Sequence, residues 1–279
     1  MKMGKFKERN EIYFDGKIKA ELELVRERVL KKDRDWVICV DGREGVGKSV
    51  FAQQIAKFLD PSFSLDNIAF TAEDFIKKIK DPKRKKGDCI VLDEALAAAS
   101  ARASLSEANK SIMSVAAEMR QMNLFIIIVL PSFFDLDKNL ALWRCTALFH
   151  LYFGENESRN YVVFDEWAKK ELYLSGKKTY DYSKVRPTFG PAHFLNQYTV
   201  NEQEYRQKKS EAFKKRTVSF RARQWMLQRN TLIRFIYSKR GITYQDINEL
   251  FKLEGADTLE PGMYSKIMEE GRIIDEEVL

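Results

Sequence analysis

Two glycines, a lysine and a hydroxyl residue stand at fixed spacing in Gly42-Arg43-Glu44-Gly45-Val46-Gly47-Lys48-Ser49. The pattern is GxxxxGK[ST], and each fixed position answers a demand of phosphate chemistry. Glycine lets backbone N–H groups turn inward and approach an anion with no Cβ in the way. A helix opening at the lysine adds partial positive charge at its N-terminus. Lys48 is then expected to reach the β- and γ-phosphates of a nucleoside triphosphate, ATP, and the Ser49 hydroxyl to ligate Mg²⁺. Arg43, Glu44, Gly45 and Val46 belong to the loop but hold positions that the pattern leaves open. A second candidate lies in Ile90-Val91-Leu92-Asp93-Glu94. A carboxylate at the end of a buried strand is poorly solvated unless a cation or a donor meets it, so Asp93 is the expected indirect ligand of Mg²⁺. Glu94, one residue on, can polarise an attacking water. The plainer reading of Asp93-Glu94 is an acidic helix start at a strand exit.

The elements around these residues must hold them in register. Trp36-Val-Ile-Cys-Val40 is a short apolar run ending at Asp41-Gly42, which reads as a buried strand meeting a turn. Past Lys48, Val50, Ala52, Ile55, Ala56 and Leu59 recur at helical spacing until Asp60-Pro61 stops them. A helix near residues 18–30 precedes the first strand. Ile68-Ala-Phe70 is a short strand, and Thr71 with Asp74 has the spacing of a capping box for a helix over 72–80. Ile90-Val-Leu92, the run 124–130 and the run 146–153 give three more strands. Leu105, Ala108, Ile112, Val115, Met119 and Met122 mark a long amphipathic helix between the first two of these. Strands rich in Ile, Val and Leu alternating with helices predict an α/β fold with a mainly parallel sheet covered on both faces. Two antiparallel edge strands are expected, at Tyr161-Val-Val-Phe164 and Glu171-Leu-Tyr-Leu174. The Pro- and Gly-marked stretch 187–191 suggests a boundary near residue 200. This divides the chain into a charged helical extension (1–35), a nucleotide-binding domain (36–200) and a basic helical domain (201–279).

GREGVGKS, IVLDEA, the helix ending AEMRQMN and the strand LFIIIVLPSFFDLD together resemble the HerA/FtsK superfamily of DNA-pumping ATPases. More narrowly they are similar to zonula-occludens-toxin-like and plasmid- or virus-encoded ATPases. The adjacent acidic pair resembles the ASCE division of P-loop proteins, which implies a RecA-like fold with strand order 5-1-4-3-2 and a glutamate that activates water. The resemblance spans about residues 34–175. It implies that Ser132, at the tip of the fourth strand, senses the γ-phosphate. It also implies that an arginine from a neighbouring subunit completes the site, with Arg120, Arg144 and Arg102 as candidates, and that the chain forms a homo-oligomer, a hexameric ring in this superfamily. The chain departs from the group in carrying Pro131-Ser132 where a glutamine is common.

The full chain has a net charge of +7, and residues 201–240 hold twelve Lys or Arg against three Glu. Val218, Ala222, Trp225, Leu232 and Ile236 are expected to form the packed face of a helix beneath these charges. Such a surface binds phosphates without reading sequence and loosens as salt rises. Further on, Thr243 is positioned to cap a helix, and Ile247, Phe251, Tyr264 and Ile267 to form the core of a helix-turn-helix. The cysteines Cys39, Cys89 and Cys145 are far apart in apolar runs, with no metal-ligand spacing. The longest apolar run is far too short to span a bilayer, which suggests a cytoplasmic protein. Two functions remain open: an ATPase that translocates or remodels double-stranded DNA for a mobile genetic element, and an ATP-switched DNA-binding protein at an origin or promoter. A kinase for a small molecule fits less well, since neither Glu94 nor the basic segment has work to do there.

Overall fold

The computed structural model describes residues 12–32, 34–93, 113–115, 120–215, 220–237, 242–254 and 258–278. They form two compact units, one up to Lys215 and one from Arg216. In the first, seven strands make one sheet: β1 Trp36–Gly42, β2 Ile68–Ala69, β3 Cys89–Asp93, β4 Phe125–Val129, β5 Ala147–Phe153, β6 Arg159–Phe164 and β7 Phe189–His193. Their order is β2-β3-β4-β1-β5-β6-β7, parallel from β2 to β5 and antiparallel beyond. The first five follow the order that the resemblance implies, and the whole is compatible with a RecA-like fold.

The central strands are apolar at nearly every position because both of their faces are covered. Ile38, Val40, Cys89, Val91, Phe125 and Ile127 point into one core, with α1 (Gly16–Lys31) and α2 (Lys48–Leu59). Their neighbours Val37, Cys39, Ile90, Leu92, Ile126 and Ile128 point into the other, with α3 (Ala72–Ile79) and α4 (Glu166–Gly176). On α2, Phe51 is buried among Phe14, Phe149, Tyr161 and Phe194, so this helix is clamped from several elements at once. Of the capping box expected for α3 the Thr71 half is present, with Thr71 Oγ1 accepting from the Asp74 amide at 3.1 Å.

The edge of the sheet differs from expectation. Glu171-Leu-Tyr-Leu174 lies in α4, not in a strand. Asp165 caps that helix by accepting from the amides of Trp167 and Ala168, and Leu172 and Tyr173 pack against the sheet while the buried Lys169 donates to the carbonyls of Ala141 and Leu142. Four apolar-rich residues are too few to tell a period of 2 from 3.6. The second antiparallel strand is instead β7, drawn from the Pro- and Gly-marked stretch taken as a sign of the boundary near residue 200. Pro191 is tolerated there because an edge strand leaves one row of amides unpaired. The first unit therefore runs past residue 200 to take in α5 (Glu202–Lys215), whose Tyr205 is buried in the α2 core.

The second unit has three described helices, α6 (Phe220–Tyr237), α7 (Tyr244–Leu253) and α8 (Pro261–Val278). Ile233, Ile247, Tyr264 and Ile267 form its small core, with Ile236 and Phe251 packed against them. Thr243 caps α7 in a reciprocal box with Asp246. The packed face of α6 is set by Ile233 and not by the expected Trp225 and Leu232, which are 67% and 60% exposed.

Gly42 ends β1 against the backbone of β5, with φ at +139°, and a Cβ there would stand 2.2 Å from the Leu151 carbonyl oxygen. Gly45 has φ +79° and open space around it. We predict that Gly42→Ala costs about 2–4 kcal/mol, strain and overlap together, and Gly45→Ala only about 1–2 kcal/mol. Denaturant unfolding of both variants measures the gap, and equal losses would show that the strand contact does not constrain Gly42.

Candidate functional site

The loop 42–49 emerges where β1 leaves the sheet between β4 and β5. This is the crevice beyond the carboxyl ends of the strands, where open α/β sheets bind ligands. Gly42, Gly45 and Gly47 all have positive φ, the condition for successive amides to face one point, and Gly47 is the left-handed residue from which α2 begins. Lys48 folds back over its own loop, donating from Nζ to the carbonyls of Gly42 at 2.6 Å and Arg43 at 2.9 Å. Ser49, on the first turn of α2, donates to Asp93 Oδ1 at 2.8 Å. Asp93 ends β3 and is 1% exposed. The loop and the strand-end carboxylate, 44 residues apart in sequence, thus meet at one point.

Other contributions to this point come from far along the chain. The segment after β7 is tied to α2 by Gln54, whose Nε2 donates to the carbonyls of Leu195 and Gln197, and Phe194 and Asn196 close against Gly47. From α5, Tyr205 donates its hydroxyl to Asp93 Oδ2, and the Lys209 ammonium lies 3.5 Å from the same oxygen and 3.4 Å from Ser49 Oγ. A cavity of about 750 Å³ opens above the loop, lined also by Arg159, Tyr198 and Arg206. Sequence reading did not find Asn196, Tyr198, Tyr205 or Lys209. The one available signal was the i,i+4 spacing of Tyr205 and Lys209 in a segment whose charges read as a phosphate-binding surface.

The remaining candidates lie elsewhere. Ser132 caps the turn Phe133–Asp135 and sits 3.1 Å from the Tyr182 hydroxyl. It belongs to a second polar cluster, beneath the loop, centred on the wholly buried Asp41. Asp41 Oδ1 is 2.8 Å from His150 Nδ1, and Oδ2 accepts from the Phe133 amide at 2.7 Å and from Tyr182. Arg144 pairs with Asp35 just before β1, and Arg120 is exposed just before β4. Both arginines are therefore at the amino ends of the strands, a strand's length of roughly 20 Å from the loop. Glu94 and Arg102 lie outside the described residues, as does most of the expected long helix before β4.

No protein-family model matches the sequence, and no curated protein does. Among solved structures, the N-terminal domain of the zonular occludens toxin from Neisseria meningitidis is similar. It aligns at 16% identity with a TM-score of 0.36, over 58% of this chain and 100% of that one. A likeness of that size assigns neither family nor function. No described helix is long and apolar enough to cross a membrane.

Burial pushes the phenols of Tyr161, Tyr182 and Tyr205 far above the ordinary value of 10.0, and that of Tyr173 up to about 12. At Tyr182 and Tyr205 the adjacent carboxylates, Asp41 and Asp93, act in the same direction. The buried thiols of Cys39 and Cys89 are also raised. The folded protein keeps these protons longer than the unfolded chain, so their contribution to stability is whole below the unfolded values and is lost as pH rises above them. Burial lowers Lys169 and Lys177, which acts in the opposite sense below 10.5 but involves fewer groups. We predict a falling melting temperature from about pH 8 to about pH 11, and a shallower fall for Tyr205→Phe. A melting temperature that holds or rises over that span would contradict this account.

Proposed function

We propose that the chain is a Mg²⁺-dependent ATPase that acts on DNA. The observation that carries the ATP site is the joining of the glycine loop to Asp93 through Ser49 at 2.8 Å, at the carboxyl ends of a parallel sheet. The donor set suits Mg²⁺, since a hydroxyl and a carboxylate are hard oxygen ligands, and the spot between them already attracts a cation, the Lys209 ammonium. Ser49 and Asp93 would hold the ion, which when bound neutralises charge on the β- and γ-phosphates. The loop amides and the positive end of α2 cradle the phosphates, and Lys48 exchanges its two carbonyl contacts for phosphate oxygens. Glu94, next in sequence to Asp93, accepts the proton of the attacking water.

The basic residues between 201 and 240 support DNA as the partner, through phosphate contacts with no base readout. The capped α7 and the core it shares with α8 are consistent with a helix-turn-helix, for which Lys266 and Arg272 supply positive charge in sequence. Assembly as a homo-oligomer, a ring in the HerA/FtsK manner, would let one copy offer an arginine to the next, and Arg120 and Arg144 stay candidates for that role. A second reading, an ATP-switched DNA-binding protein with slow turnover, is favoured by one observation. The helix that touches Asp93 is also the helix that leads in sequence to the basic second unit.

Lys48→Ala should weaken binding of a fluorescent ATP analogue by at least about tenfold, as expected for loss of charged contacts to phosphate. Glu94→Gln should lower hydrolysis by about a hundredfold or more with binding retained. Long duplex DNA should raise the rate several-fold at low salt and less at moderate salt. Hydrolysis indifferent to DNA at every salt concentration would remove the DNA-motor reading and leave the ATP site standing.

A further inference from the structure

The metal-binding end of the proposed ATP site is filled by the chain itself. Asp93 has two carboxylate oxygens, and both are engaged: Oδ1 by Ser49, Oδ2 by the Tyr205 hydroxyl with the Lys209 ammonium beside it. Ser49 Oγ, the other hard ligand, also has Lys209 at 3.4 Å. Tyr205 and Lys209 are one turn apart on α5, so a single helix delivers a hydroxyl donor and a positive charge to the same place. That helix is well seated. Tyr205 is buried against Phe70 and Tyr198, Asn201 caps the first turn by accepting from the amides of Gln203 and Glu204, and Lys208 pairs with Asp66 at 3.2 Å.

We propose that α5 is a gate on the divalent-cation site, with Lys209 as a tethered substitute for the metal and Tyr205 as its latch. This rests on the ATP reading above. A divalent ion and an ammonium cannot share the space between Ser49 Oγ and Asp93 Oδ2, because their charges repel at contact distance in a poorly solvated setting. Loading of Mg²⁺ with nucleotide therefore expels Lys209, frees Asp93 from Tyr205 and loosens the middle of α5. The last residue of α5, Lys215, is followed directly by the second unit, so the loosened helix is also the connection through which nucleotide state reaches the basic helices.

The test titrates Mg²⁺ against the fluorescence of an ATP analogue bound to the full chain, for the wild type, Lys209→Met and Tyr205→Phe. Both variants keep the bulk of the side chain. The gate requires the half-saturating Mg²⁺ concentration to fall about tenfold or more in Lys209→Met, the size expected when a charged hydrogen-bonded competitor is removed, and to fall less in Tyr205→Phe. In the wild type, amide hydrogen exchange over residues 202–215 should speed up when Mg²⁺ and a non-hydrolysable ATP analogue are added together, and not with either alone. Weaker nucleotide binding in Lys209→Met would make Lys209 a phosphate ligand and overturn the gate. An unchanged Mg²⁺ requirement or unchanged exchange in α5 would also overturn it while the ATP site stands. A wild type that binds no nucleotide at any Mg²⁺ concentration would remove the ATP reading, and the gate with it.

Discussion

Asp93 is the carboxylate around which the first unit is organised. Once both faces of a parallel sheet are covered, chemistry is confined to the strand ends, and a nearly inaccessible carboxylate there must be met by donors or by a cation. Three elements meet it: α2 through Ser49, α5 through Tyr205 and Lys209, and β3 on which it sits. Burial of Tyr205 keeps its phenol a donor at any ordinary pH, so the contact does not depend on titration.

A second buried carboxylate, Asp41, performs a related task one residue before the loop. It joins the exit of β1 to the exit of β4 through the Phe133 amide, to β5 through His150 and to the turn at Tyr182, whose ring stacks on His150 at 3.9 Å. Gly42 is thereby held between a fixed neighbour and the Leu151 carbonyl. Ser132 takes part in this frame and not in the lining of the cavity above the loop.

The basic segment illustrates how charge counted along a sequence conceals its uses. Lys208 and Lys209 belong to the first unit, one pairing with Asp66 and the other facing Asp93, whereas Arg229 and Arg234 belong to the second. Only part of the positive charge is therefore available to a polyanion in this arrangement. If the gate operates, nucleotide binding returns Lys209 to that pool.

Local chemistry made much of the site legible in the sequence. The loop glycines with Lys48 and Ser49 are legible from their spacing, and Asp93 from the apolar run that it ends. The central strands follow from continuous apolar runs, and the caps at Thr71 and Thr243 from the spacing of donor and acceptor. What failed were decisions that depend on distant neighbours. Whether Glu171-Leu-Tyr-Leu174 becomes helix or strand was decided by Asp165 as a cap and by the space beneath it, and the pairing of 189–193 as a strand was decided by the free edge of β6. That Tyr205 and Lys209 reach Asp93 across more than 110 residues was decided by the packing of α5. A sequence determines by itself what adjacent residues impose on one another, whereas contacts of long separation exist only once the sheet and the helices over it have closed around a common core.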